Sequence, residues 1–498
     1  MIDPWARLRG LGEGLRARGD AEPRQTAWLR AALSRAKKTV YGRRHDFASI
    51  RTPEEYRERV PLASYEDLAP LIERAAAGEK DVLFPGAALA FERTGGGSLG
   101  GKLIPYSARS LEDFRRALLP WLADAIDVHG LGRGAAYWAI SPAARAPETT
   151  SGGVPVGLPD GAYLGAEAGA AFSALSAVPA SVGGLRSVAE WRLATLAGLL
   201  NRPDLELISI WSPTFLLALL DAVAPHAREL RPRLDAGARV RLDTFLWGGD
   251  ASVLWPELKL VSAWADASSR PFWDELRARL PGAAFQAKGL LATEGVVAVP
   301  DRAGRPVLAA DSGFYEFLDE NGAARFAHEL AAGARCEVVT TTSGGLYRYR
   351  TGDRVVCEGK TQGLPILRFV GRAGLTSDLV GEKLSEDFVG ACLDEVPGFR
   401  MLVPVVAPRP GYALVVDAGA RLDSAAVLAR AESRLSANPQ YAYARRLGQL
   451  DALALRAVRA PLERYLARAA APGVRLGDVK IPALCTNTDW LATFEAAA

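Results

Sequence analysis

The chain has 498 residues, 49% hydrophobic and 23% charged, which excludes a disordered chain, a collagen-like repeat and a small disulfide scaffold. Sixty basic and 57 acidic side chains give a net charge of +3, interspersed without a basic stripe, so nucleic acid is not an expected partner. Cys336, Cys357, Cys392 and Cys485 form no CxxC, and His45, His129, His226 and His328 lack metal-ligand spacing, which points to reduced thiols in a cytoplasmic protein.

In chain order, the first ninety residues read as helical, with Trp28, Leu29, Ala32, Leu33 and Ala36 at helical spacing and Pro53, Pro61 and Pro70 as breaks. The charged segment Met1–Arg9 reads as no secretory signal, and no run reaches the roughly 20 apolar residues of a membrane span. Ala87–Phe91 is a candidate buried strand. Ser110 is the expected cap of a helix whose face is Phe114, Ala117, Leu118, Leu122 and Ile126. Short apolar runs at Leu205–Trp211 and Lys259–Trp264 alternate with helical patterns at Phe215–Ala222 and Phe272–Leu280, the signature of an α/β architecture. Phe314–Leu318, Cys336–Thr342 and Leu346–Arg350 read as antiparallel strands. Gly371–Gly381 reads as a hinge, followed by strands at Met401–Val406 and Tyr412–Val416 and helices at Ser424–Leu435 and Leu462–Ala469. The expectation is a large α/β domain over residues 1–375, with an antiparallel β portion, and a small mobile α+β domain over residues 376–498.

Five segments carry candidate chemistry. Thr94, Gly95, Gly96, Gly97, Ser98 and Lys102 belong to a glycine cluster whose backbone N–H groups suit phosphate oxygens, with a lysine to neutralise charge. It satisfies GxGxxG and GxxxxGK literally. Pro105, however, opposes the helix that a dinucleotide fold needs, and Leu103 replaces the hydroxyl that would hold magnesium. Thr293 and Glu294 place a hydroxyl and a carboxylate between glycines, suited to a metal-bound phosphate. Asp353 follows a turn where it can accept both hydroxyls of a ribose, although turn chemistry alone also explains Thr-Gly-Asp. Phe369–Glu386, which contains Arg372, is charged amid glycines, unlike a plain linker. Lys480 is the lone lysine of the last hundred residues, in a chain with nine lysines among its 60 basic side chains. Its plain structural reading, like that of Lys37, Lys38, Lys80, Lys259 and Lys360, is a surface charge.

Together and in this order these segments resemble the acyl-acid amido synthetases known from auxin and jasmonate conjugation, particularly their bacterial relatives, within the adenylate-forming enzymes. Lys102–Tyr106, Ser151–Gly157, Tyr163–Gly165, Trp211–Phe215, Lys288–Gly295, Gly345–Asp353 and Ser377–Leu384 carry the resemblance. It implies an ATP-dependent ligase that adenylates a carboxylic acid and passes the acyl group to an amine, such as an amino acid, with ATP and magnesium. It also implies roles. The Thr94–Lys102 loop cradles the phosphates, Thr293 lies near them and Glu294 binds magnesium. Asp353 holds the ribose with support from Arg372, and Lys480 meets the acyl phosphate. Gly95 and Gly97 stand where relatives carry serines, Leu99 where they carry glycine, and Gly313 where a polar or aromatic residue is usual. These departures keep a non-catalytic nucleotide- or acyl-binding relative as one alternative, beside an acyl-CoA ligase sharing the first half-reaction. Trp138, Tyr163, Trp211 and Phe215 are candidate walls of the acid pocket, with core packing as the competing role.

Overall fold

Four short apolar runs become neighbouring strands of one parallel sheet, Ala135–Trp138, Leu205–Ser209, Leu260–Ala263 and Ala284–Ala287, in the computed structural model of the chain. The structure describes residues 3–16, 19–94, 102–138, 148–158, 160–185, 187–372, 375–406, 409–420, 422–446, 448–469 and 479–495. Helices such as Val188–Leu200, Pro213–Val223 and Arg270–Arg279 connect the strands. Leu205–Ser209 is buried along its whole length, Glu206 and Ser209 included, as a strand covered on both faces should be.

Beside this sheet lies a seven-stranded antiparallel sheet that includes Phe314–Leu318, Arg335–Thr341, Tyr349–Thr361 and Leu364–Arg372. A four-stranded sheet pairs Ala90–Arg93 with Leu103–Tyr106 on one side and Pro155–Val156 on the other. A smaller C-terminal α+β portion carries Arg400–Val405, Gly411–Asp417 and Ala454–Val458 as a three-stranded sheet. The period of two decides its packing. Leu402, Leu414 and Val416 face a core of their own, while Met401, Val403 and Val415 join a cluster containing Val261, Phe272 and Leu276 of the large α/β portion. The mixed architecture is the one expected from the sequence. Among the described residues no helix is long and apolar enough to cross a membrane.

Several local expectations are corrected. The long helix Ala108–His129 is capped by Ser107, not Ser110; the two serines form a reciprocal box in which each Oγ accepts from the other's backbone N–H, at 3.1 and 2.8 Å. Pro70 lies inside the helix Tyr65–Ala76, because the Ser64–Asp67 box has already set the first turn and the ring forfeits one hydrogen bond. The strand near Phe91 is Ala90–Arg93. Leu346–Arg350 is not a strand from its start: Arg348 has φ +46°, and pairing begins at Tyr349. Nor do successive side chains here face opposite sides, since Tyr347, Arg348 and Tyr349 are all buried. Arg348 forms a two-pronged ion pair with Glu316, at 2.8 and 2.9 Å, and donates to the carbonyls of Arg57 and Val60. Lys259 is no free surface charge either, since its ammonium pairs with Glu206 at 2.5 Å.

Candidate active site

The parallel sheet sets out the site. Trp138 ends the first strand, Trp211 comes two residues after the second, Trp264 follows the third and Lys288 follows the fourth. All four therefore stand at the carboxyl edge of the sheet, where open α/β sheets place their ligand crevices. The three tryptophans line a cavity of about 170 Å³, more than ten times the ~10–15 Å³ that one water occupies. Tyr106, Phe114 and Tyr163 complete an aromatic wall suited to a flat apolar group. Gly289 fixes the turn beyond Lys288: its φ is +79°, and a Cβ there would come within 2.5 Å of the Ala298 carbonyl oxygen.

The other end of the same cavity is charged. Thr293 and Glu294 occupy the tip of the hairpin Leu291–Ala292/Gly295–Val296, held in place by the Tyr106 hydroxyl donating to the Thr293 carbonyl at 2.7 Å. Arg372, the last residue of Leu364–Arg372, pairs in register with Asp353 on the adjoining strand, and its Nε donates to the Asp353 carboxylate at 2.8 Å. The Asp353 side chain is 3% exposed, so the guanidinium in the cavity wall is anchored by a carboxylate just behind it. Lys480 reaches the cavity from the C-terminal portion. Its ammonium lies 4.6 Å from the Trp264 ring centroid and 5.6 Å from that of Phe369. Lys480 is exposed to the open cavity although protein crowds around it, and that crowding lowers its pKa against the opposing pull of Asp353, Glu294 and Glu386. Burial, then the Asp353 charge, pushes the Glu294 carboxyl upward against Arg372 and Lys480. Burial likewise raises Glu386, to about 7, with Lys480 the strongest opposing charge.

Thr94, Thr293, Glu294, Arg372 and Lys480 thus line one cavity, with Asp353 directly behind it. Lys102 does not reach the cavity wall; its ammonium sits 5.2 Å from the Tyr65 ring. Its backbone closes the neck of the glycine loop, where Thr94 N–H donates to the Lys102 carbonyl and Lys102 N–H donates to Thr94 Oγ1. Gly95, Gly96, Gly97, Ser98 and Leu99 lie outside the described residues. Gly313 is described, and a Cβ there would meet the Tyr315 hydroxyl at 2.8 Å, so the packing demands the glycine. Of the candidate aromatic walls, Phe215 is core, in contact with Trp191. Magnesium fits the charged end in one respect: it binds through one or two carboxylates plus substrate phosphates, and Glu294 offers one in the cavity. Among the described residues there is no cluster of three or more metal-ligating side chains that would make an all-protein cage.

The sequence reading missed Lys288. Its side chain is 4% exposed, it donates to Ser209 Oγ at 2.6 Å, and its ammonium lies 5.2, 5.3 and 5.4 Å from the ring centroids of Trp121, Trp138 and Trp211. The available signal was a lysine between strand and glycine in a chain that prefers arginine.

Residues 15–243 match the model of the GH3 family N-terminal domain, and residues 306–372 match that of the GH3 family central domain. Together these cover more than half of the chain. A probable indole-3-acetic acid-amido synthetase, GH3.12 of Oryza sativa subsp. japonica, is 26% identical over 53% of this chain. The match spans about half, 52%, of that relative's length. The solved structure of AtGH3.15 acyl acid amido synthetase in complex with 2,4-DB superposes with a TM-score of 0.82 at 19% identity, covering 100% of this chain and 97% of that one. A 2-hydroxyisobutyryl-CoA ligase in its postadenylation state, in complex with 2-HIB-AMP, shares the fold with a TM-score of 0.53 at 14% identity, over 98% of this chain and 90% of that one.

Proposed function

The chain belongs to the GH3 family, and on that premise we propose that it is an ATP-dependent ligase which adenylates a carboxylic acid and transfers the acyl group to an amine, such as an amino acid. One observation carries the reading: Thr293–Glu294, Arg372 and Lys480 come from three separated segments and meet on one wall of an aromatic cavity. In-line attack of a carboxylate on the α-phosphate needs positioning and charge neutralisation rather than a protein nucleophile, and this wall offers both. In this reading the acid lies against the tryptophans with its carboxylate toward Lys480. The ribose hydroxyls bond to Asp353, which Arg372 holds in place. The glycine loop and Lys102 serve the phosphates. Magnesium, held by Glu294 together with phosphate oxygens, supplies charge neutralisation when bound.

The domain assignment belongs to the same proposal. Residues 1–375 form the nucleotide- and acid-binding domain and 376–498 a lid that brings Lys480 in for adenylation and withdraws it for amide formation. The bacterial affiliation and cytoplasmic location also belong here, the latter supported by four buried free cysteines.

ATP–pyrophosphate exchange across a panel of carboxylates tests the reading, and exchange with at least one acid is expected. A folded, ATP-binding protein that exchanges with no acid would instead be a degenerate relative, as the glycines at 95 and 97 would make it. The fold shared with a CoA ligase motivates one more arm. Supplying amino acids or CoA to the preformed acyl-adenylate should yield amide and not thioester.

A further inference from the structure

Glu92 lines the same cavity and has no task in the ligase reading above. It stands on the strand Ala90–Arg93, beside Leu103–Tyr106, and is 9% exposed. One carboxylate oxygen, Oε1, accepts from the Leu158 N–H at 2.6 Å and from the Tyr163 hydroxyl at 2.7 Å. Among the described residues nothing donates to the other oxygen, and no lysine or arginine forms an ion pair with the carboxylate. Arg93, next in the chain, is engaged with Glu148.

Two tyrosines tie this carboxylate to the charged end of the cavity. Tyr163, which donates to Glu92, packs its ring 5.8 Å from that of Tyr106, and the Tyr106 hydroxyl donates to the Thr293 carbonyl. Burial raises the pKa of the Tyr106 hydroxyl, and the Glu92 charge raises it further. Thr94, two residues along from Glu92, closes the neck of the glycine loop.

A carboxylate set in a protein wall is costly without a cation to face it. Glu294 in the same wall faces Arg372 and Lys480. Glu92 has no such counterpart. Holding Tyr163 and Leu158 does not account for the charge, because the amide oxygen of a glutamine accepts two hydrogen bonds as well. The ligase reading, on which this inference rests, brings three substrates to the cavity. ATP is an anion and so is the acid before activation, and a lone carboxylate repels both. The amine arrives as an ammonium, the one cation of the three.

We propose that Glu92 is the binding residue for the acceptor amine, its unshared oxygen taking an N–H of the ammonium. The acceptors are primary amines protonated at neutral pH, amino acids among them. Tyr163 and Leu158 keep the carboxylate turned, and Glu92 fixes where the ammonium docks. This binding precedes the loss of its proton and the attack on the acyl carbon.

The test uses an acid that supports pyrophosphate exchange, with a panel of amino acids and aliphatic amines as acceptors. Glu92→Gln keeps both hydrogen bonds and removes only the charge. It should raise the KM for the best acceptor about 10–100-fold, the usual range for a hydrogen bond to a charged group. Pyrophosphate exchange should keep its wild-type rate and its KM for acid and ATP, because the amine takes no part in it. Hydroxamate formation from hydroxylamine, which is uncharged at neutral pH, should also be unaffected. An unchanged amine KM in Glu92→Gln overturns the assignment. So does loss of exchange in the variant, because Glu92 then serves the fold or the first half-reaction. The wild type gives an answer without any variant: its KM for hydroxylamine should lie at least about tenfold above that for the best acceptor. Equal values overturn the assignment as well. The two readings fail distinguishably. Absence of exchange with every acid sinks the ligase reading and this assignment with it, whereas exchange with an unchanged amine KM sinks the assignment alone.

Discussion

Two lysines stand by the cavity, one on its wall and one buried behind its tryptophans, and each is held by different means. Lys480 is open to the cavity and is pulled toward its charged form by Asp353, Glu294 and Glu386. Lys288 is sealed behind indole rings with one hydroxyl for company. Carboxylates and a guanidinium that share a wall redistribute charge when an anionic ligand arrives, so the charged end suits phosphates that come and go. Ring faces have no such freedom; they hold a buried donor in one place.

The largest effect that separates the two ends concerns Lys480. Lys480→Ala should lower pyrophosphate exchange about 10²-fold or more, a typical loss for one electrostatic contact in a transition state, and leave amide formation from supplied acyl-adenylate nearly unchanged. Wild-type rates in both half-reactions would make it a plain cavity charge. Asp353→Asn comes next. It keeps the shape but removes the charge that anchors Arg372, so the KM for ATP should rise about tenfold while the affinity for the acid is unaffected. A loss confined to acid binding would move Asp353 out of the nucleotide's reach.

The smallest effect is also the most direct comparison, because the two ends should titrate with opposite sign. Glu386 is raised from 4.5 to about 7, so between those values the folded state holds a proton that the unfolded chain has lost, and stability falls as pH rises. Lys288 is lowered from 10.5 to about 7. Between those values the unfolded chain holds the extra proton, and stability rises with pH. Thermal unfolding followed from pH 5 to 10 should show Glu386→Gln flattening the acid limb and Lys288→Met flattening the alkaline limb, each by about 1–2 °C in Tm. Parallel changes on one limb would mean that the two groups share an environment.

Much of the charged end was legible in the chain because each residue sits in a telling local setting. Thr293 and Glu294 stand at a turn between strands, Asp353 follows a glycine of positive φ, and Lys480 is a lysine where arginine is the rule. The aromatic end was less so. Lys288 meets Trp121, Trp138 and Trp211 only because three parallel strands and a long helix bring those positions together, and no spacing along the chain encodes that. Phe215 and Trp211 carry the same local signal, four residues apart, yet one is core and the other lines the cavity; the start of the helix at Pro213 decides between them. Leu346–Arg350 shows another limit. It reads as a strand throughout, but a buried partner on another strand, Glu316, draws Arg348 inward. The fold class was readable because strand and helix patterns alternate over long stretches, whereas the helix start at Ser107 turned on a single reciprocal pair of hydrogen bonds.

Trp138, Trp211, Trp264 and Lys288 each stand at the last position of a strand or just past it, while the strands themselves are fixed by buried neighbours such as Leu207, Ile208 and Val261. This arrangement divides the molecule into a part that must be inherited intact and a part open to variation. A lineage can exchange one wall residue at a time, and so wander from one acid to another, without renegotiating the pairing that keeps the sheet together. Chemical diversity among descendants of such a chain should accumulate at these few addresses, one step beyond each strand.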